Sequence, residues 1–274
     1  MESNTIKTVF VLTLLLTTYV FSSCSRNPYA ATNKSHRKQA DHYADILEKY
    51  PLEDSNSNAP HFVGTTNFNM RKPNFVIIHH TAQNSCDQTL RTFTLTRTQV
   101  SAHYVICQDG TIHHMLNDYL RAWHAGLSKW GNLTDVNSSS IGIELDNDGF
   151  QPFADAQINS LLKLLASLKT AYNIPAANFI GHGDIAPTRK NDPNVLFPWK
   201  MLAEKGFGNW YDDTTNIQMP FYFDDIQALR IIGYDTKDTT ASIIAFKRHW
   251  LQDTTPGLTD ESKKVLYVLA KKYL

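Results

Sequence analysis

The sequence has almost no excess charge of either sign: 26 Lys and Arg stand against 26 Asp and Glu in 274 residues. A neutral chain without a basic stripe has no long-range field to gather nucleic acid or an anionic surface, which argues against a nucleic-acid partner. Cysteine is scarce, with three in the chain. None has C-x-x-C spacing, so a thiolate metal motif is absent. No internal repeat is found, which excludes a solenoid. Long hydrophobic runs are missing too. The longest, Val9 to Phe21, is about 13 residues, short of the roughly 20 that span a bilayer as a helix.

That length suits the apolar region of a signal peptide, taken here as residues 1–23. The run ends in Phe21-Ser22-Ser23-Cys24, which resembles a lipobox. Cys24 would then be lipidated and would anchor the mature chain to a membrane. Phe21, where Leu is usual, and Glu2 depart from that pattern, and an ordinary secretory signal or an uncleaved anchor is the alternative. Residues 24–60 are polar and read as a tether with one short helix near His42–Tyr50, ended by Pro51. Cys86 and Cys107 remain. An oxidising compartment would permit a bridge between them, but spacing does not choose between a disulfide and two free thiols.

With 42% apolar residues the chain can bury a sizeable core. Asn74–Ile78 is a β-branched apolar run with the pattern of a central strand. Tyr104–Gln108 and Thr111–His114 flank Asp109-Gly110, which predicts a hairpin with a two-residue type I′ turn. Ile141–Leu145 and Asn178–Gly181 are further strands. Between these two, Ile158, Leu161, Leu162, Leu165, Leu168 and Tyr172 recur at helical spacing, with Asn173 and Pro175 as the stop. Another helix is expected from Asp87 to Thr96. The fold class is α/β, a mixed central sheet flanked by helices. After Trp210 three amphipathic segments follow: Phe223–Ile232, Thr240–Trp250 and Thr259–Tyr273. They predict a small C-terminal three-helix module at residues 217–274, beside a main domain at 61–212. Gly233 suits the end of the first helix, and Thr259 the N-cap of the third.

Eleven histidines compete for a role. His79 ends the apolar strand, where active sites of parallel sheets collect. Adjacent strand residues face opposite sides, so His80 cannot share a site with His79, nor His113 with His114. A second candidate is Gly181–Pro193, where His182 enters a Gly/Pro-rich loop that returns Lys190 and Asp192. Such a loop can bring Asp192 back to His182 at one cation. On spacing alone it can equally be a loop with a surface lysine and a capping aspartate. Ser101 and His103 show no base-and-orienter arrangement of a hydrolytic pair.

Five segments in one order sharpen this reading: Phe75–Ala82, Ser101–Tyr104, Ala122–Gly126, Ser140–Leu145 and His182–Pro193. Together they resemble the type 2 N-acetylmuramoyl-L-alanine amidases, relatives of the peptidoglycan recognition proteins, and within these the outer-membrane lipoprotein branch. The resemblance covers residues from about 60 to 210, and the tail resembles that branch's peptidoglycan-binding-like helices. It implies one Zn²⁺ held by His79, His182 and Asp192, with Asp where many relatives have Cys. It implies Glu144 as the proton-transferring carboxylate and Lys190 as the catalytic lysine. The implied partners are peptidoglycan and muropeptide fragments, and the implied location is the periplasmic face of the outer membrane. Trp123, His124 and Arg189 are candidate substrate contacts. A protein that binds peptidoglycan without cleaving it is the competing reading; the complete set of ligands plus Glu144 and Lys190 favours the enzyme.

Overall fold

The structure is a computed structural model and describes residues 27–48 and 64–274. The expected signal segment 1–23, the expected lipidation site Cys24 and residues 25, 26 and 49–60 of the expected tether lie outside the described residues. Helix α1, Ala30–Leu47, belongs to a unit separate from residues 66–274 and has no buried residue. It begins well before the short helix expected near His42–Tyr50. Ala30, Ala31, Lys34, Arg37, Lys38 and Gln39 favour helix by intrinsic propensity, without the apolar stripe that periodicity detects. Among the described residues no helix is long and apolar enough to cross a membrane.

Residues 66–274 form one compact unit. Its centre is a five-stranded sheet in the order β3-β2-β4-β1-β5. The strands are β1 (Phe75–His80), β2 (Tyr104–Ile106), β3 (Ile112–His114), β4 (Ser140–Leu145) and β5 (Phe179–Gly181). β1 is central and parallel to both β4 and β5; β2 is parallel to β4, and β3 is antiparallel to β2. The mixed α/β fold expected from the sequence is therefore present.

Both faces of the sheet are covered. Val76, Ile78, Ile141, Ile143 and Leu145 pack with Ile158, Leu161, Leu165 and Leu168 of helix α4 (Asp155–Tyr172). Leu161 and Leu165 are fully buried, worth about 1.5–3 kcal/mol each. Asn173 ends α4 in the left-handed region at φ 53°. Before these come α2 (Cys86–Thr94), capped by Ser85, whose hydroxyl accepts from the Gln88 N–H, and the one-turn α3 (Val136–Ser139). A disulfide joins Cys86, at the start of α2, to Cys107, just after β2. It settles the choice the spacing left open.

The β2–β3 turn differs from expectation. Asp109 does not have positive φ; Gly110 does, at 87°. Gly110 N–H donates to Cys107 O, and Cys107 N–H donates to Thr111 O. This is the pattern of a three-residue loop with a left-handed glycine rather than a type I′ turn. A Cβ on Gly110 would stand 2.8 Å from the Ala156 carbonyl oxygen at the start of α4. Packing against α4 therefore selects the glycine.

The opposite face holds Ile77 and Ile180, buried with helices α7 (Asp225–Ile232), α8 (Thr239–Leu251) and α9 (Asp260–Lys272). These are the three helices expected in the tail. Gly233 follows α7 at φ 133°, and Thr259 caps α9, its side chain accepting from the Ser262 N–H. Two short helices, α5 (His182–Ile185) and α6 (Trp199–Glu204), lie between sheet and tail, and α8 packs on both.

Candidate active site

Three neighbouring strands end at one place. The register pairs His79 of β1 with Glu144 of β4, and Ile78 with Gly181 of β5. Parallel strands in register show their side chains on the same face. His79 and Glu144 therefore lie side by side, and His182 follows immediately at the end of β5. His80 turns the other way. It is buried, and a Cβ on Gly149 would stand 2.9 Å from its Nε2. The alternation argument that separated His79 from His80 holds.

The loop after α5 brings Asp192 back to the two histidines. Gly183 N–H donates to Asp192 O at 2.7 Å and closes it. His79 Nδ1 and His182 Nδ1 are 3.0 Å apart, and Asp192 Oδ2 is 3.1 Å from the first and 3.0 Å from the second. All three residues are buried.

Hydrogen-bond directions show that this cluster suits a cation. The Ser140 hydroxyl donates to Val136 O at 2.6 Å. It therefore accepts from His124, whose Nε2 is 3.1 Å away. That leaves a lone pair on His124 Nδ1, which accepts from His79 Nε2–H at 3.1 Å. His79 in turn has a lone pair on Nδ1. Its neutrality follows from burial, reinforced by nearby His182, which lowers its pKa to about 4. His182 donates from Nε2 to Ala125 O at 3.1 Å, so its neutral ring likewise presents a lone pair at Nδ1. Two nitrogen lone pairs and a carboxylate oxygen thus converge. A tetrahedral ion bound at 2.0–2.1 Å would set its ligands about 3.3 Å apart, close to the spacing observed. The residues fit such an ion.

Glu144 sits beside the cluster, with Oε1 3.9 Å from His79 Nδ1. Its Oε2 is buried without a hydrogen-bond partner. Burial, then the Asp192 charge, pushes its pKa well above the usual carboxylate value, and Lys190 partly opposes this. A carboxyl held this way is disposed to take up and return a proton. Lys190 is half-buried on the same loop, and its charge is felt by both His79 and Glu144.

Residues 69–195 match the family described as N-acetylmuramoyl-L-alanine amidase. The N-acetylmuramoyl-L-alanine amidase AmiD of Escherichia coli is 35% identical over 233 residues, spanning 72% of this chain and 82% of the relative. The chain belongs to the type 2 N-acetylmuramoyl-L-alanine amidase family. Members of this amidase family are amide hydrolases. The 1,6-anhydro-N-acetylmuramyl-L-alanine amidase AmpD of Haemophilus influenzae is 42% identical over 103 residues, 37% of this chain and 56% of AmpD. Among solved structures, the amidase is similar to AmpDh3 of Pseudomonas aeruginosa, with a TM-score of 0.68 and 30% identity, covering 82% of this chain and 99% of that one. It is also similar to E. coli AmiD bound to anhydro-N-acetylmuramic acid-L-Ala-D-γ-Glu-L-Lys, with a TM-score of 0.66 and 30% identity, covering 81% and 97%.

One of the anticipated substrate contacts needs correction. His124 does not line a groove. It is buried, with both ring nitrogens committed to His79 and Ser140. Its backbone is fixed as well, since Asn137 Oδ1 accepts from the N–H groups of His124 and Ala125. Arg189 spends Nη2 on Ala125 O and Leu127 O, at 3.0 and 2.8 Å, and so braces the loop that carries His124. Trp123 is half exposed and remains able to stack on a ligand. Ser101 and His103 stay apart in function. The Ser101 hydroxyl accepts from Trp123 N–H, and His103 Nδ1 accepts from Gly142 N–H.

Sequence reasoning missed the support behind His79. One signal was available, the glycine in Ile-Gly-Ile. A Gly inside a strand often marks close approach by another group, and the His124 ring fills the space a Gly142 Cβ would need. Replacing His124 with Leu should keep the fold and weaken metal binding about 10–100-fold, as loss of a ligand's hydrogen-bond partner commonly does. Chelator competition measures this; unchanged affinity would mean that His79 is held in place without His124.

Proposed function

We propose that the protein is a zinc-dependent N-acetylmuramoyl-L-alanine amidase of peptidoglycan turnover or recycling. It cleaves the amide between the lactyl group of N-acetylmuramic or 1,6-anhydromuramic acid and the L-Ala of the stem peptide. The carrying observation is the convergence of His79 Nδ1, His182 Nδ1 and Asp192 Oδ2 beside the unpartnered Glu144 Oε2. The donor set of two imidazoles and one carboxylate is one that zinc accepts.

Zinc held by His79, His182 and Asp192 would supply Lewis acidity to the attack of water on the amide. Glu144 takes the proton of the attacking water and returns it to the leaving amine of L-Ala. The Lys190 ammonium stabilises the negative charge that develops on the lactyl carbonyl oxygen. His124 and Ala125 hold the two histidine rings in the tautomer that leaves Nδ1 free. Trp123 offers a face for sugar or peptide. The products are a muramic lactyl carboxylate and a peptide with a free L-Ala amine.

The protein would act at the cell envelope, tethered through lipid on Cys24 to the periplasmic face of the outer membrane. The motif Phe21-Ser22-Ser23-Cys24 supports this. Incubation with an anhydromuramyl tripeptide tests the reaction. Mass spectrometry should show the two fragments, their sum heavier than the substrate by one water. An intact substrate in the presence of stoichiometric zinc would leave the protein a binder.

A further inference from the structure

The C-terminal helices grip the loop that carries His182. Asp184, two residues on, is buried at 3% exposure, and its carboxylate has three donors. The Gly181 N–H donates to Oδ2 at 2.8 Å, from within the loop. The other two donors come from the tail. His249 of α8 donates from Nδ1 to Oδ2 at 2.7 Å, and the Tyr234 hydroxyl donates to Oδ1 at 2.8 Å. Trp250 Nε1–H donates to the Tyr234 oxygen at 3.3 Å. The His249 ring is itself clamped, stacked on Trp199 at 3.9 Å and on Trp250 at 4.3 Å. Arg248 Nη1 of α8 lies 2.8 Å from where a Gly183 Cβ would stand, so α8 packs closely on the loop.

A buried carboxylate is held where its donors are, because leaving either partner unpaired there is costly. We propose that Tyr234 and His249 are positioning residues for the active site, and that the helical module is the arm that sets the His182–Asp192 loop. This rests on the metal-site reading of His182 and Asp192 for its functional consequence, though not for its geometry. On this view the helices are not a detachable binding module, and removing residues 217–274 disables the hydrolysis of small muropeptides as well as of sacculi.

The test uses the full chain. His249→Phe keeps the ring stack and loses the donor, and Tyr234→Phe loses only a hydroxyl. Val265→Ala, a cavity in α9 that removes none of the donors to Asp184, controls for general loosening of the tail. Hydrogen exchange of the segment 182–192, followed by mass spectrometry, should rise about tenfold in His249→Phe and Tyr234→Phe and stay at the wild-type rate in Val265→Ala. Chelator competition should show zinc affinity falling about 10-fold in the same two variants and in neither wild type nor control. Wild-type exchange and affinity in both variants would overturn the proposal, as would equal effects from Val265→Ala. A wild-type protein that binds no zinc would instead refute the metal reading, and the exchange data would still decide whether the helices order the loop.

Discussion

Replacing Glu144 with Gln should lower turnover of an anhydromuramyl tripeptide by about 10²–10⁴-fold, the usual worth of a positioned acid–base group. Zinc content should stay at one per chain, because Glu144 is not one of the three converging ligands. Stability should not fall. Gln has the same volume, and the substitution removes a carboxyl whose ionisation burial already opposes. The effect belongs in kcat, since Oε2 faces no partner in the resting protein and acts only when water attacks. Kinetics together with metal analysis of the purified variant checks both halves. Wild-type turnover would assign the proton transfer to another group; loss of zinc would make Glu144 part of the metal site.

The second large effect is on the metal. His182→Ala removes one of the three proposed ligands and leaves Asp192 and His79 without the nitrogen that closes the cluster. Zinc content should fall from one per chain to none at micromolar protein, and hydrolysis to the level of wild type in excess chelator. Several kcal/mol of charge stabilisation are lost with the ion. At about 1.36 kcal/mol per decade, that is a fall on the order of 10³-fold or more. Zinc added back should restore the chelated wild type and leave His182→Ala inactive. A chelated wild type that keeps full activity would show that the three-residue cluster plays no part in the reaction.

Much of this site was legible because strands impose a period of two. That period separates His79 from His80, and it places Ser140, Gly142 and Glu144 on one face of β4. The apolar run of β1 marked it as central, and the 3.6-residue repeat of Ile158, Leu161, Leu165 and Leu168 marked the covering helix. Other features left no periodic trace. Helix α1 is helical by propensity alone, without an apolar stripe. The Asp109-Gly110 turn took its form from contact with Ala156, a residue distant in sequence. The Cys86–Cys107 bridge depends on α2 starting beside the end of β2, which spacing does not reveal.

The sequence alone determined the kind of protein this is. Ordered motifs, strand alternation and the loop from His182 to Asp192 were sufficient for the family, the sheet and the residues that the structure brings together at one place, because each depends on local pattern. Only the tertiary structure decided what holds those residues in place. His124, read as a substrate contact, is a buried hydrogen-bond partner of His79. Arg189 braces a loop, and the tail helices reach the active-site loop through Asp184. These are contacts between segments 45 to 65 residues apart. Their partners are chosen by packing and by the need to satisfy buried polar groups, and neither condition is written in any local stretch of sequence.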